Sequence, residues 1–193
     1  MRRARLAAAR RGRRLRIMFA DEARFGRINR PRPCWAPTGI RPEVASQLIR
    51  EYIYLYGAVA PKDGTCVYLI MPASNTACFE AFPGVLSRKF ARQDILLVLD
   101  GAPNHRCGDL AVPKNIALLF LPPPRLRRGR LYAPELNPKE TLWDEIREKI
   151  FRNHALKSID AVRAKLKQAI LYIERNLQTV QSITSVPYIV KSI

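Results

Sequence analysis

Asp94-Ile-Leu-Leu-Val-Leu-Asp100 is the stretch on which the fold turns. Ile95 to Leu99 is wholly apolar, with no alternation of polar and apolar residues. Such a run suits a strand buried on both faces, in the middle of a sheet. It ends in a carboxylate and passes at once into Gly101-Ala-Pro-Asn-His105, a tight loop. A carboxylate at the end of a buried strand is costly unless it is paired, hydrogen-bonded or bound to a cation.

The same pattern recurs upstream. Ile17-Met-Phe-Ala-Asp21-Glu-Ala-Arg-Phe25 reads as a strand carrying an acid near its end. Tyr52 to Ala60 and Thr65 to Met71 are two further strands, and the turn Pro61-Lys-Asp-Gly64 joins them as a hairpin. Residues 76–91 have helical apolar spacing through Phe79, Phe82, Leu86 and Phe90, with Pro83 and Gly84 as an interruption. Ile116 to Leu121 is another buried strand, followed by the basic, proline-led loop 122–130. Asn137 caps a helix with Pro138 at its first position and Leu142, Trp143, Ile146 and Ile150 at helical spacing. Ser158 caps a last helix, and 177–193 is an indistinct tail. Strands interleaved with helices predict an α/β fold.

Composition narrows the partner. The 193 residues are 48% hydrophobic and carry 34 Lys and Arg against 16 Asp and Glu, a net charge of +18. That excess suits a polyanion, with nucleic acid first and an anionic membrane surface second. Residues 1–16 carry arginines at 2, 3, 5, 10, 11, 13, 14 and 16 and no acid, and read as a mobile or weakly helical arm. It is either a solvated linker or a DNA-backbone contact, the latter through residues such as Arg13 and Arg14. Cys34, Cys66, Cys78 and Cys107 form no CxxC pair, and with only His105 and His154 a zinc site is not expected. No secretory signal and no membrane-length apolar run is visible, so a reduced, cytoplasmic setting is expected.

Asp21 and Asp100 therefore need a partner. If their strands are neighbours, the two carboxylates stand close, and like charges so placed raise a pKa or recruit a metal. Oxygen ligands alone point to magnesium or manganese. Taken singly, either aspartate could instead be a loop cap or the partner of an arginine. Glu22 would point to the opposite face, which favours Asp21 as the ligand. A third acid could be Glu135, Glu140 or Asp144, and spacing alone does not separate them.

Taken together, these residues resemble a known family. Asp21-Glu22 after an apolar strand, Leu-Asp-Gly-Ala-Pro-Asn-His (99–105), Leu-Pro-Pro (121–123) and Ala-Pro-Glu-Leu-Asn-Pro-Lys-Glu-x-x-Trp (133–143) resemble the catalytic domain of mariner-like DDE transposases. The bacterial insertion-sequence branch, also called DDE superfamily endonucleases, is the nearest in pattern. The resemblance implies a ribonuclease H-like fold, a mixed sheet with helices on both faces, over residues 17–176. It implies two divalent cations, Mg2+ or Mn2+, held by Asp21, Asp100 and Glu140. It also implies cleavage of transposon-end DNA, strand transfer into target DNA, and a homodimer on DNA. His105 and Asn104 would be auxiliary, orienting the loop, a phosphate or the water. Arg125, Arg127, Arg128 and Arg130 would contact the DNA backbone, while Trp35 and Trp143 read as packing residues.

Two departures stand out. Segment 101–139 is longer than the family's usual gap, which Pro124 to Leu131 accounts for as an insertion. The helix-turn-helix region that family members usually carry has no counterpart here beyond the arginine tract. The rival readings are a ribonuclease H-like nuclease without strand transfer, a truncated or inactive DNA-binding remnant, and a basic coat protein.

Overall fold

Ile17, Phe19, Ala23 and Phe25 fall on one side of a strand and Met18 and Ala20 on the other, and both sets are buried. A strand apolar on both sides must be covered on both sides. The computed structural model, which describes residues 2–29, 31–100, 110–121 and 137–185, has that architecture.

Helix α1 (Arg2–Arg10) precedes strands β1 (Arg14–Ile28), β2 (Leu48–Ala60) and β3 (Thr65–Met71). Helix α2 (Thr76–Lys89) leads to β4 (Gln93–Leu99) and β5 (Ile116–Phe120). Helix α3 (Lys139–Ile146) continues as a π-helical turn (Arg147–Phe151), and α4 (Ile159–Arg175) and α5 (Leu177–Thr184) follow. The five strands lie in the order β3-β2-β1-β4-β5. The β1–β2 and β2–β3 pairs are antiparallel, and β1–β4 and β4–β5 are parallel.

The odd-numbered face of β1 packs with Leu55, Val59 and Val98 under Trp143, Ile146, Leu166 and Val180, from α3, α4 and α5. The even-numbered face packs with Tyr56, Ala58 and Leu97 against Phe79, Phe82 and Leu86 of α2. The mixed sheet between helices is the expected ribonuclease H-like arrangement.

Four local readings change. β1 begins at Arg14 and runs to Ile28, so Asp21 lies at its middle and not near its end. Of the arginine tract, Arg2–Arg10 is helical and buries Ala8, while Arg11 and Arg13 pair with the buried Asp94 at 2.7 and 3.0 Å. α2 runs straight through Pro83, which is buried, so packing outweighs the lost backbone bond. Trp35 is fully exposed, not a packing residue.

Candidate active site

The parallel ladder between β1 and β4 ends at Phe19–Val98. Continuing that register by two residues sets Asp21 beside Asp100, which directly follows β4. Neighbouring strands are ~4.8 Å apart, so the two side chains share one neighbourhood. On its other flank Asp21 pairs with Gly57 of β2. Asp21 thus keeps strand pairing with β2 while facing the space where β4 has stopped.

The third acid arrives on α3. Asn137 directs it, and is itself buried. Its Nδ2 donates to the Ala20 carbonyl at 2.9 Å, its Oδ1 accepts from the Lys139 N–H at 3.1 Å, and its carbonyl accepts from the Glu140 N–H at 3.1 Å. One side chain therefore caps α3 and fastens it to β1 at the residue before Asp21. Trp143, one turn after Glu140, donates its indole Nε1–H to Asp21 Oδ2 at 2.8 Å, and the Glu22 N–H donates to Oδ1 at 2.9 Å. Trp143 packs as expected, but it also grips the acid.

Burial pushes the Asp21 carboxyl up to about 7, against the lowering effect of the Trp143 bond, and the charges of Glu140, Glu22 and Asp100 push the same way. Burial also raises Glu140, with Arg147 opposing and Asp144 and Asp100 adding to the rise. The structure thus brings Asp21, Asp100 and Glu140 into one electrostatic field. They meet through that field and not at a shared point, since among the described residues no three His, Cys, Asp or Glu side chains converge on a metal position. An all-carboxylate set whose members repel one another suits a hard divalent cation, which would relieve that repulsion.

Two of the alternatives separate. Asp144 is exposed and contacts Arg147 at 3.5 Å. Glu22 lies on the opposite face, where its Oε1 accepts from Ser74 Oγ at 3.1 Å. Glu135, Asn104, His105, Arg125, Arg127, Arg128 and Arg130 lie outside the described residues. Arg13 binds Asp94 and the carbonyls of Ala91 and Gln93, and Arg14 lines a cavity with Arg5, Arg16 and Lys62 at the far end of β1.

One component was not foreseen. Lys139 is completely buried, and among the described residues its Nζ has no hydrogen-bond partner. The ammonium instead sits 4.0 Å from the Tyr68 ring centroid and 4.4 Å from that of Trp143. Burial lowers it to about 8, with Cys66 and Asp21 opposing. It fits because residue 57 is glycine: a Cβ there would stand 2.5 Å from Lys139 Cε and 2.8 Å from Trp143 Cη2. A legible signal existed, since Lys139 and Trp143 are four apart on one helix face.

The mixed five-stranded sheet between helices defines a ribonuclease H-like fold. Residues 16–163 match the family described as DDE superfamily endonuclease, and the chain belongs to that family. It is 32% identical over 112 residues to the uncharacterized protein y4pE/y4sA of Sinorhizobium fredii, a match covering 58% of this chain and 77% of that protein. Among solved structures it resembles the Mos1 mariner paired end complex with Mn (TM-score 0.58, 15% identity, 94% of this chain and 58% of that one). It also resembles the Mos1 strand transfer complex (TM-score 0.55, 14% identity, 94% and 57%). The chain thus spans under three fifths of those structures' length, and the likeness concerns the fold. No described helix is long and apolar enough to cross a membrane.

Proposed function

We propose that this chain is the catalytic domain of a DNA transposase, which cuts transposon-end DNA and joins the freed 3′ end to target DNA. The observation that carries the reading is the β1–β4 register, which sets Asp21 beside Asp100 while α3 brings Glu140 into the same field. Asp21, Asp100 and Glu140 would hold two Mg2+ or Mn2+ ions. When bound, such a pair activates the attacking water and stabilises the leaving 3′ oxygen.

The chain's own residues do the positioning. Trp143 holds one oxygen of Asp21, which fixes the direction of the other. Asn137 sets the approach of α3, and hence of Glu140, to β1. The excess of Lys and Arg binds the DNA backbone. Arg125, Arg127, Arg128 and Arg130 contact it beside the site, His105 and Asn104 orient phosphate or water, and two copies of the chain pair on DNA.

The test is Mn2+-dependent nicking and joining of labelled transposon-end DNA, with Asp100→Ala as control. Nicked and joined products from the wild type alone support the proposal. Nicks without joined product leave a nuclease, and equal nicking by both proteins rules out this site.

A further inference from the structure

Past Asp21 the β1–β2 ribbon runs on without β4, because the antiparallel ladder continues to Ile28–Leu48. A cavity of about 390 Å3 opens there, lined by Arg24, Phe25 and Tyr52 from the ribbon and by Arg147, Phe151 and Arg152 from the end of α3. Arg24 and Phe25 are consecutive in a strand and point to opposite faces. That both line one cavity places it at the ribbon's edge, where it draws on both faces.

The way its arginines are held matters most. The Arg24 guanidinium lies 4.4 Å from the Tyr52 ring centroid and, among the described residues, meets no carboxylate. The Arg147 guanidinium lies 5.6 Å from the Phe25 centroid, and its only carboxylate contact among the described residues is the 3.5 Å one to exposed Asp144. An aromatic face fixes a guanidinium in place without consuming its N–H donors, which leaves them for an incoming anion. Arg152, on the same turn, is 3.9 Å from Glu148 and so only partly neutralised.

Two further observations fix the ligand and its course. Arg147–Phe151 is π-helical, a departure that occurs most often at functional sites. Here that turn and the residue after it present both Arg147 and Arg152. The cavity also adjoins the acids: Arg147 follows Glu140 by about two turns along the same helical segment. With ~3.3 Å per strand residue, Arg24 stands about 10 Å from Asp21 along β1. Successive phosphates of one strand are further apart than the ~3.4 Å axial rise, because the backbone winds around the axis, so that distance is about one to two nucleotides.

We infer that this cavity is a subsite for the phosphodiester backbone of the DNA strand, beginning about one to two nucleotides from the scissile phosphate, with Arg24 and Arg147 as its phosphate-contacting residues and Arg152 at its rim. The scissile phosphate as origin rests on the transposase reading; the phosphate chemistry does not.

The experiment measures binding of fluorescein-labelled duplex DNA by anisotropy, in EDTA, across a series of KCl concentrations. Arg24→Gln and Arg147→Gln keep the side-chain stem and remove the charge. Arg163→Gln, on α4 and paired with Asp160, removes the same charge elsewhere. Each cavity variant should bind about three- to tenfold more weakly and lower the log–log salt slope by about 0.9 in magnitude, and the double variant by about twice that. Arg24→Lys and Arg147→Lys should restore the slope, which a merely structural role would not require. The proposal is overturned if the cavity variants change the slope no more than Arg163→Gln does, or if the lysine variants fail to restore it. Wild-type nicking in Mn2+ is scored separately. Slope changes without nicking uphold the subsite and defeat the nuclease reading, and nicking without slope changes does the reverse.

Discussion

The two ends of β1 carry similar numbers of arginines and use them in opposite ways. At the first end, Arg11 and Arg13 close on Asp94, and Arg16 closes on Asp63 at 2.8 Å and on Gln93. At the far end, Arg24 and Arg147 rest on aromatic rings, and burial together with neighbouring carboxylates raises Asp21. At the first end Arg11, Arg13 and Arg16 are thus paired internally and serve stability. The second leaves Arg24 on an aromatic ring with no carboxylate partner among the described residues, although Arg27 pairs with Glu51 and Arg32 with Glu148 nearby. A net charge of +18 therefore says less about function than where the carboxylates are absent.

The contrast can be broken by substitution, beginning with the largest effect. Asp21→Asn and Asp100→Ala should each lower Mn2+-dependent nicking by ~1000-fold or more, while ligand-free Asp21→Asn melts no lower than wild type, since a repelled buried charge has gone. Asp94→Ala should leave nicking intact. If the two ends behaved alike in these assays, the division of labour would fail.

Gly57→Ala follows, at about 3 kcal/mol of lost stability, because its Cβ would overlap Lys139 and Trp143. Chemical denaturation measures it, and a change below about 0.5 kcal/mol would mean that the Lys139 cradle is not tightly packed.

Next comes pH. Asp21 titrates at about 7 when folded, against an ordinary 3.8. Between those values the folded chain holds a proton that the unfolded chain has released. The Asp21 contribution to ligand-free stability should therefore fall as pH rises from about 4 to 7, by at most ~1.4 kcal/mol per pH unit, and level off above. Asp21→Asn should remove that slope, whereas Asp94→Ala should preserve it. The smallest effect sharpens the first end: Asp94→Ala should cost about 1–2 kcal/mol, because its arginines are partly exposed and rehydrate.

Much of this was legible in the residues. Apolar runs ending in Asp21 and Asp100 point to adjacent buried strands, and the alternation of faces separates Asp21 from Glu22. Asn137 before Pro138 marks the start of α3. What was hidden depends on partners distant in sequence. The bond from Trp143 to Asp21, the room that Gly57 makes for Lys139, and the stacking of Arg147 on Phe25 join segments brought together only by tertiary packing. Arg24 looks like any surface arginine until Tyr52 is placed beneath it by strand pairing. The extent of β1 was missed because Arg14 and Arg16 resemble the arm before them, although they alternate with buried or half-buried Leu15 and Ile17.

The central claim, that Asp21, Asp100 and Glu140 act together as one hard-cation site, is tested most directly by calorimetric titration of the wild type with Mn2+ at pH 8. The account predicts two bound ions, with affinity falling at least about tenfold in each of Asp21→Asn, Asp100→Asn and Glu140→Gln. Binding that is unchanged in all three variants would contradict it.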